Sequence, residues 1–274
     1  MTAWSEFEVA EFRLTADGAF LLKDESDLAK LAFPATIEVK NMRKGFSDFK
    51  EAEAYSYAGV ADQVFDEKQF PPSFDIQMDD ELFQHAKKDL TIKHKIFGAL
   101  TEGCEHTRRE FISSVLLLAA NIADVHLGVE EPVAGRLGHG PVDWVALYKS
   151  YRIFITEGKK DDLTKGVVQN IAQMVAAGED RNPKRKFSPD IPMYGIATTY
   201  TEWVFLKLTC GETRALFRWN DRTIDKDNIE VGLKQVAGQI VAIFKQQKAT
   251  VDKAICSSPA KRSCLGQVQE GLNG

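Results

Sequence analysis

Two short apolar runs, each carrying an acid at one end, constrain this chain more than anything else in it. Val142 to Tyr148 is apolar except for Asp143, and Ile153 to Ile155 leads straight into Thr156-Glu157-Gly158-Lys159. Lys149, Ser150 and Tyr151 between them read as a tight turn, so the runs are expected to pair as antiparallel neighbours. Alternation along the second strand puts Glu157 and Lys159 on one side, and the hairpin then gathers three ionised groups into one patch. Runs this apolar are usually covered on both faces. A carboxylate that loses its water there without a partner costs on the order of several kcal/mol. Lys159 brings one positive charge against the two acids Asp143 and Glu157, so the patch is short of a cation, and oxygen ligands of this hardness suit Mg2+ or Mn2+.

The remaining composition sets the frame for that patch. With 274 residues, 44% of them hydrophobic, the chain has material for one large or two modest packed domains. Its longest apolar run, Val115 to Ala123, contains Asn121 and is far shorter than the roughly 18 residues a membrane span needs, so no membrane association is expected. The opening MTAWSEFEVAEF has no basic segment followed by an apolar one, which points away from secretion. Cys104, Cys210, Cys256 and Cys264 form no CxxC pair and have no histidine at zinc-finger spacing. Cys256 and Cys264 are near enough in sequence to bridge, but without an export signal free thiols in a reducing, intracellular compartment are expected. Charge is uneven: residues 1 to 95 hold 12 basic and 19 acidic side chains, or -7, and residues 96 to 274 hold 23 and 21, or +2. The nearly neutral second part is the better candidate to meet a polyanion.

Residues 1 to 95 read as a mixed region without a chemical motif. Phe20 to Lys23 and Thr36 to Val39 have strand composition, Asp24 to Ala32 and Asp79 to Ala86 read as short helices, and Phe70-Pro71-Pro72-Ser73 is a break. Glu51, Glu53, Asp79 and Asp80 read as a solvated acidic face. Thr101 to Val125 has the period of a buried helix, with Phe111, Ile112, Val115, Leu116, Leu118, Ala119 and Ile122 on its apolar face. Its first turns carry Glu105, Arg108, Arg109 and Glu110, which on their own read as dipole-compensating charges and surface ion pairs. Gly128 to Gly140 reads as a glycine-rich loop, without the Gly-Lys-Ser/Thr of a P-loop, and His139 within it as a solvent-facing residue. After Lys160 a helix is expected over Asp161 to Ala176, where Gln169 and Gln173 lie four apart and share a face. Asn182 to Lys186 is a basic loop, either phosphate-contacting or merely solvated. Pro192 to Leu208 reads as two strands around a polar turn, followed by a strand and loop with Arg214, Arg218, Trp219 and Arg222. Asn228 to Ile255 reads as a long amphipathic helix, and the polar tail from Cys256 as flexible.

Pro141-Val142-Asp143 followed by Glu157-Gly158-Lys159, in the order helix, strand, strand, helix, two strands, helix from about Thr101 to Phe244, resembles the PD-(D/E)XK superfamily of restriction-endonuclease-like nucleases. One valine interrupts the proline-aspartate pair. The E-x-x-R, G-x-V-D, T-E-x-K and Q-N elements are most similar to the nuclease domains of fungal and oomycete Crinkler-type effectors, although the LFLAK-type translocation segment of those effectors is absent. The resemblance implies an α/β fold, a central mixed sheet flanked by helices over 96–255, with an additional N-terminal α+β region over 1–95 and a tail over 256–274. It implies Mg2+- or Mn2+-dependent hydrolysis of phosphodiester bonds, with DNA the more expected nucleic acid than RNA, and nuclear action if the target is chromosomal DNA. Asp143 and Glu157 would hold the metal. Glu105, in Glu105 to Ile112 (EHTRREFI), would supply a third acid, with Glu110, about 140° further around the helix, as the other candidate. Lys159 would sit beside the attacking water, and Gln169 would orient that water or a phosphate. A nuclease fold that binds nucleic acid or a protein without cutting is the alternative.

Overall fold

A computed structural model describes residues 12–15, 19–22, 43–98, 100, 105–149, 151–159, 162–179, 191–209 and 214–257. The chain forms two compact units, Met1–Lys44 and Gly45–Gly274. In the first, strands β1 (Phe12–Thr15) and β2 (Ala19–Leu22) pair antiparallel, Phe12 opposite Leu22. The expected helix at Asp24 to Ala32 and strand at Thr36 to Val39 lie outside the described residues, as do the basic loop Asn182 to Lys186 and all of the tail beyond Ser257.

The second unit is built on an eight-stranded mixed sheet. Its strands are β3 (Lys44–Gly45), β4 (Gln63–Phe65), β5 (His126–Ala134), β6 (Gly138–Tyr148), β7 (Tyr151–Gly158), β8 (Met193–Thr198), β9 (Glu202–Thr209) and β10 (Ala215–Thr223). The order is β3-β6-β7-β8-β9-β10-β4, with β5 also paired to β6. Pairs β5/β6, β6/β7, β8/β9 and β9/β10 are antiparallel, while β7/β8 and β10/β4 are parallel. The helices are α1 (Glu51–Ala58), α2 (Glu81–Phe97), α3 (Glu105–Ala123), α4 (Leu163–Glu179) and α5 (Ile229–Ser257). The expected α/β architecture, a mixed sheet flanked by helices, is therefore present.

The core falls on the two faces of the sheet. Phe83 and Leu90 of α2, Phe111 and Val115 of α3, and Ile240 and Phe244 of α5 pack with Trp144, Phe154, Ile196 and Phe205. On the other face Tyr57 of α1 and Ile171 and Met174 of α4 pack with Val145, Ile155, Ala197 and Leu206. Because successive strand residues point to opposite faces, β7 divides its near-continuous apolar run between the two clusters. A parallel pair cannot be joined by a tight turn, and α4 supplies the crossover from β7 to β8. That crossover delivers α4 onto the face that Glu157 shares with Ile155.

Three expectations differ from this architecture. The boundary placed at residue 95 falls inside α2; residues 45–95 contribute β4 to the sheet, α1 to one core and most of α2 to the other. Asp79 to Ala86, read as a short helix, holds only the start of a 17-residue one, Glu81–Phe97, that Asp80 caps by accepting the Leu82 and Phe83 N–H groups. Gly128 to Gly140 is not a loop but most of β5, the turn at 135–137 and the first residues of β6. Its glycines leave room for neighbours: a Cβ on Gly138 would stand 2.8 Å from the Phe46 ring, and one on Gly135 2.3 Å from the Tyr57 hydroxyl.

Candidate metal and phosphoryl-transfer site

Sheet register brings the two acids together. The β6/β7 pairing reaches Trp144 opposite Thr156, and Asp143 and Glu157 stand one residue further along their strands. There Asp143 Oδ2 accepts the Gly158 N–H at 2.8 Å, so backbone at the end of β7 fixes the carboxylate. Lys159 follows directly, and its own N–H donates to Thr198 O at 2.8 Å, tying the end of β7 to β8. Glu157 is 3% exposed. Lys159 Nζ donates to its Oε1 at 2.7 Å, and Gln173 Nε2 to its Oε2 at 2.6 Å. Gly166 at the start of α4 leaves the space in which the lysine lies, since a Cβ there would be 2.8 Å from Lys159 Cγ. The acids are thus approached from both faces: Gln173 comes from α4, whereas Arg109 NH2 reaches Asp143 Oδ1 at 3.5 Å from α3.

Charge inside this cluster is under-compensated. Burial and then the Asp143 charge push the Glu157 carboxyl up to about 7, against the opposing pull of Lys159 and Gln173. Burial also raises Asp143, although the Gly158 N–H and Arg109 oppose it and the Glu105 charge adds to it. Burial works against the Lys159 ammonium, but Glu157, Glu105 and Asp143 outweigh it and hold that pKa above the usual lysine range. Lys159 therefore stays charged at neutral pH and donates to Glu157.

The expected residues fare unequally. Asp143, Glu157 and Lys159 are gathered as expected. Glu105 lies near enough for its charge to act on Asp143 and Lys159, while Glu110 is exposed. Yet among the described residues no three His, Cys, Asp or Glu side chains form a group that could hold a metal ion, so Glu105 is a neighbouring charge and does not complete a three-acid set. Arg108, in the E-x-x-R element, is buried and donates to Thr199 O at 2.8 Å, bracing the β8–β9 turn. His139 is exposed on β6. Gln169 is 9% exposed and its Oε1 has no hydrogen-bond partner, while Gln173, one turn on, is the glutamine that touches Glu157. Gln173 and Arg109 are the site residues missed in the sequence. A signal existed for both: Gln173 shares a helix face with Gln169, and Arg109 lies four residues after Glu105.

Asp143 and Glu157 stand at opposed positions of β6 and β7, and one or two carboxylates together with waters and substrate phosphates are a common way to hold Mg2+. Ile112 and the Trp144 ring lie beside Gly158, 3.2 and 3.3 Å from where a Cβ there would stand, and make the α3 side of the site apolar. Neither a protein-family model nor a curated protein matches this chain.

Proposed function

We propose that the protein is a metal-dependent nuclease that hydrolyses phosphodiester bonds, with DNA as its substrate and a PD-(D/E)XK type of site. The observation that carries the reading is the pairing of the buried Glu157 with the part-buried Asp143, where even a lysine at 2.7 Å leaves the Glu157 carboxyl at about 7. Such a pair is relieved by a divalent cation. The ion would supply a water of lowered pKa and positive charge against the phosphate. Around it, the Gly158 N–H and Gln173 fix the orientation of the two carboxylates, as supporting hydrogen bonds do for metal ligands. The Lys159 ammonium donates to a phosphate oxygen on which charge grows during displacement. The Gln169 Oε1, buried and unpartnered, is an acceptor for a proton of the attacking water. Intracellular action, in the nucleus where the substrate is chromosomal DNA, goes with this reading; among the described residues no helix is long and apolar enough to cross a membrane.

A binding module without catalysis is the second reading, and the observation in its favour is that Lys159 and Arg109 already face the two acids. Incubation with supercoiled plasmid, linear duplex and single-stranded RNA, in Mg2+, Mn2+ or EDTA, separates the two. Cleavage of DNA is expected with either metal and not in EDTA, reduced at least about 100-fold in Asp143→Ala and in Lys159→Ala. Activity that survives Asp143→Ala refutes the assignment, and intact substrates under every condition favour the binding module.

A further inference from the structure

Asp143 has one oxygen already committed: Oδ2 holds the Gly158 N–H at 2.8 Å. Oδ1 carries no such backbone hydrogen bond and is the oxygen more open to an ion, and the group that faces it is the Arg109 guanidinium, its NH2 3.5 Å away. That distance is long for a hydrogen bond. The other arm of the same guanidinium makes a shorter contact, NH1 to Glu130 Oε1 at 3.1 Å. Glu130 lies on β5 between the paired positions Val129/Trp144 and Glu131/Val142, across from Asp143, and its φ of 52° departs from the strand conformation of its neighbours. Beneath the guanidinium, the Trp144 ring centroid is 5.2 Å from Arg109 Cζ, a flat support over which the group can shift without losing contact. Arg109 and Asp143 are each 17% exposed at the side chain, whereas Glu130 is 65% exposed.

We propose that Arg109 is a built-in counter-cation for Asp143: it spans Asp143 and Glu130 when no divalent ion is bound, competes with the incoming ion for Oδ1, and gives up Asp143 for Glu130 alone when the ion binds. This rests on the metal-site reading above and adds to it the residue that sets how tightly the ion is held. An ion at bonding distance from Oδ1, about 2 Å, comes within a few ångströms of the guanidinium, and two cations at that separation in a largely buried site repel strongly. Glu130 gives the displaced charge a partner at the solvent edge, so Arg109 is not left unpaired.

Mn2+ binding to the full chain, measured by titration calorimetry on wild type, Arg109→Gln, Glu130→Gln, the double variant and Asp143→Asn, tests this without reference to cleavage. Arg109→Gln is expected to tighten Mn2+ binding about fivefold by removing the competitor, and Glu130→Gln to weaken it about threefold by holding Arg109 on Asp143. In the Arg109→Gln background, Glu130→Gln should change nothing, because it acts through the arginine. Additive effects of the two substitutions indicate a general electrostatic influence and overturn the proposal, as does weaker binding in Arg109→Gln. Thermal melts establish that each variant folds, and Glu130, exposed on an edge strand, carries its prediction independently of how Arg109→Gln folds. Mn2+ binding that survives Asp143→Asn, or none to wild type, overturns the metal-site reading and this inference together.

Discussion

Glu157 has two close partners, Lys159 at 2.7 Å and Gln173 at 2.6 Å, and still its carboxyl stands at about 7 because burial and Asp143 outweigh them. A carboxyl raised in the folded state binds its proton more tightly folded than unfolded. Its contribution to stability is full below the unfolded value of 4.5 and is lost as pH rises through about 7. In EDTA, the Tm of the wild type should therefore fall between pH 5 and pH 8 relative to that of Glu157→Gln, and Mn2+ should restore it at pH 8 by binding only the folded form. A Glu157→Gln variant that loses as much Tm over that interval as the wild type contradicts the assignment. Gln173→Met keeps the volume of a fully buried residue and removes one of the two hydrogen bonds to Glu157. Cleavage is expected to drop about 10- to 100-fold, with a fall in Tm of a few degrees because a buried oxygen of Glu157 loses its donor. Asp143, Glu157 and Lys159 were legible because strand alternation is a rigid rule. The choice between Gln169 and Gln173 was not, since it depends on how α4 is rotated over the sheet, which the period of its apolar face leaves open by one turn.

Elements whose pattern has a single reading were legible: the β6–β7 hairpin, helices α3, α4 and α5, and the β8–β9 pair all lie within a few residues of their expected places. β5 was not, because glycines that serve close packing look like glycines that serve a loop. Gly195 shows the same packing use in the middle of β8, where a Cβ would stand 2.0 Å from Asn170 Oδ1 and 2.6 Å from Met174 Sδ. Asn170 in turn donates to Ile155 O at 3.2 Å, so α4 sits against β7 and β8 through this contact. Gly195→Ala should force α4 outward and destabilise the protein by about 1–3 kcal/mol, read by chemical denaturation. An unchanged denaturation midpoint would mean that α4 is not held at this distance. The same displacement should weaken Mn2+ binding, because Gln173 rides on the helix.

At the scale of the whole molecule, the division falls between Lys44 and Gly45 and not near residue 95. Short, irregular segments such as β4 and α1 give almost no periodic signal, and only their pairing with β10 and packing on α4 shows that they belong to the second unit. Residues 45–274 alone should melt cooperatively, while removal of residues 1–95 should leave an aggregating or partly unfolded protein, since Tyr57, Phe70, Phe83 and Leu90 would be lost from both cores. Circular dichroism on the two truncations distinguishes these outcomes, and equal folding of both contradicts the boundary. The architecture sets two acids on the neighbouring strands of one hairpin, Asp143 on β6 and Glu157 on β7, brings α3 and α4 to them from opposite faces, and leaves more negative charge than Lys159 and Arg109 balance when Glu105 is counted. The most direct test of that claim is a crystal grown with Mn2+ and the anomalous scattering recorded from it. A strong peak shared by Asp143 Oδ1 and the Glu157 carboxylate is expected, and a map without a peak between those two side chains, in a crystal whose Mn2+ is bound elsewhere or not at all, rules the metal site out.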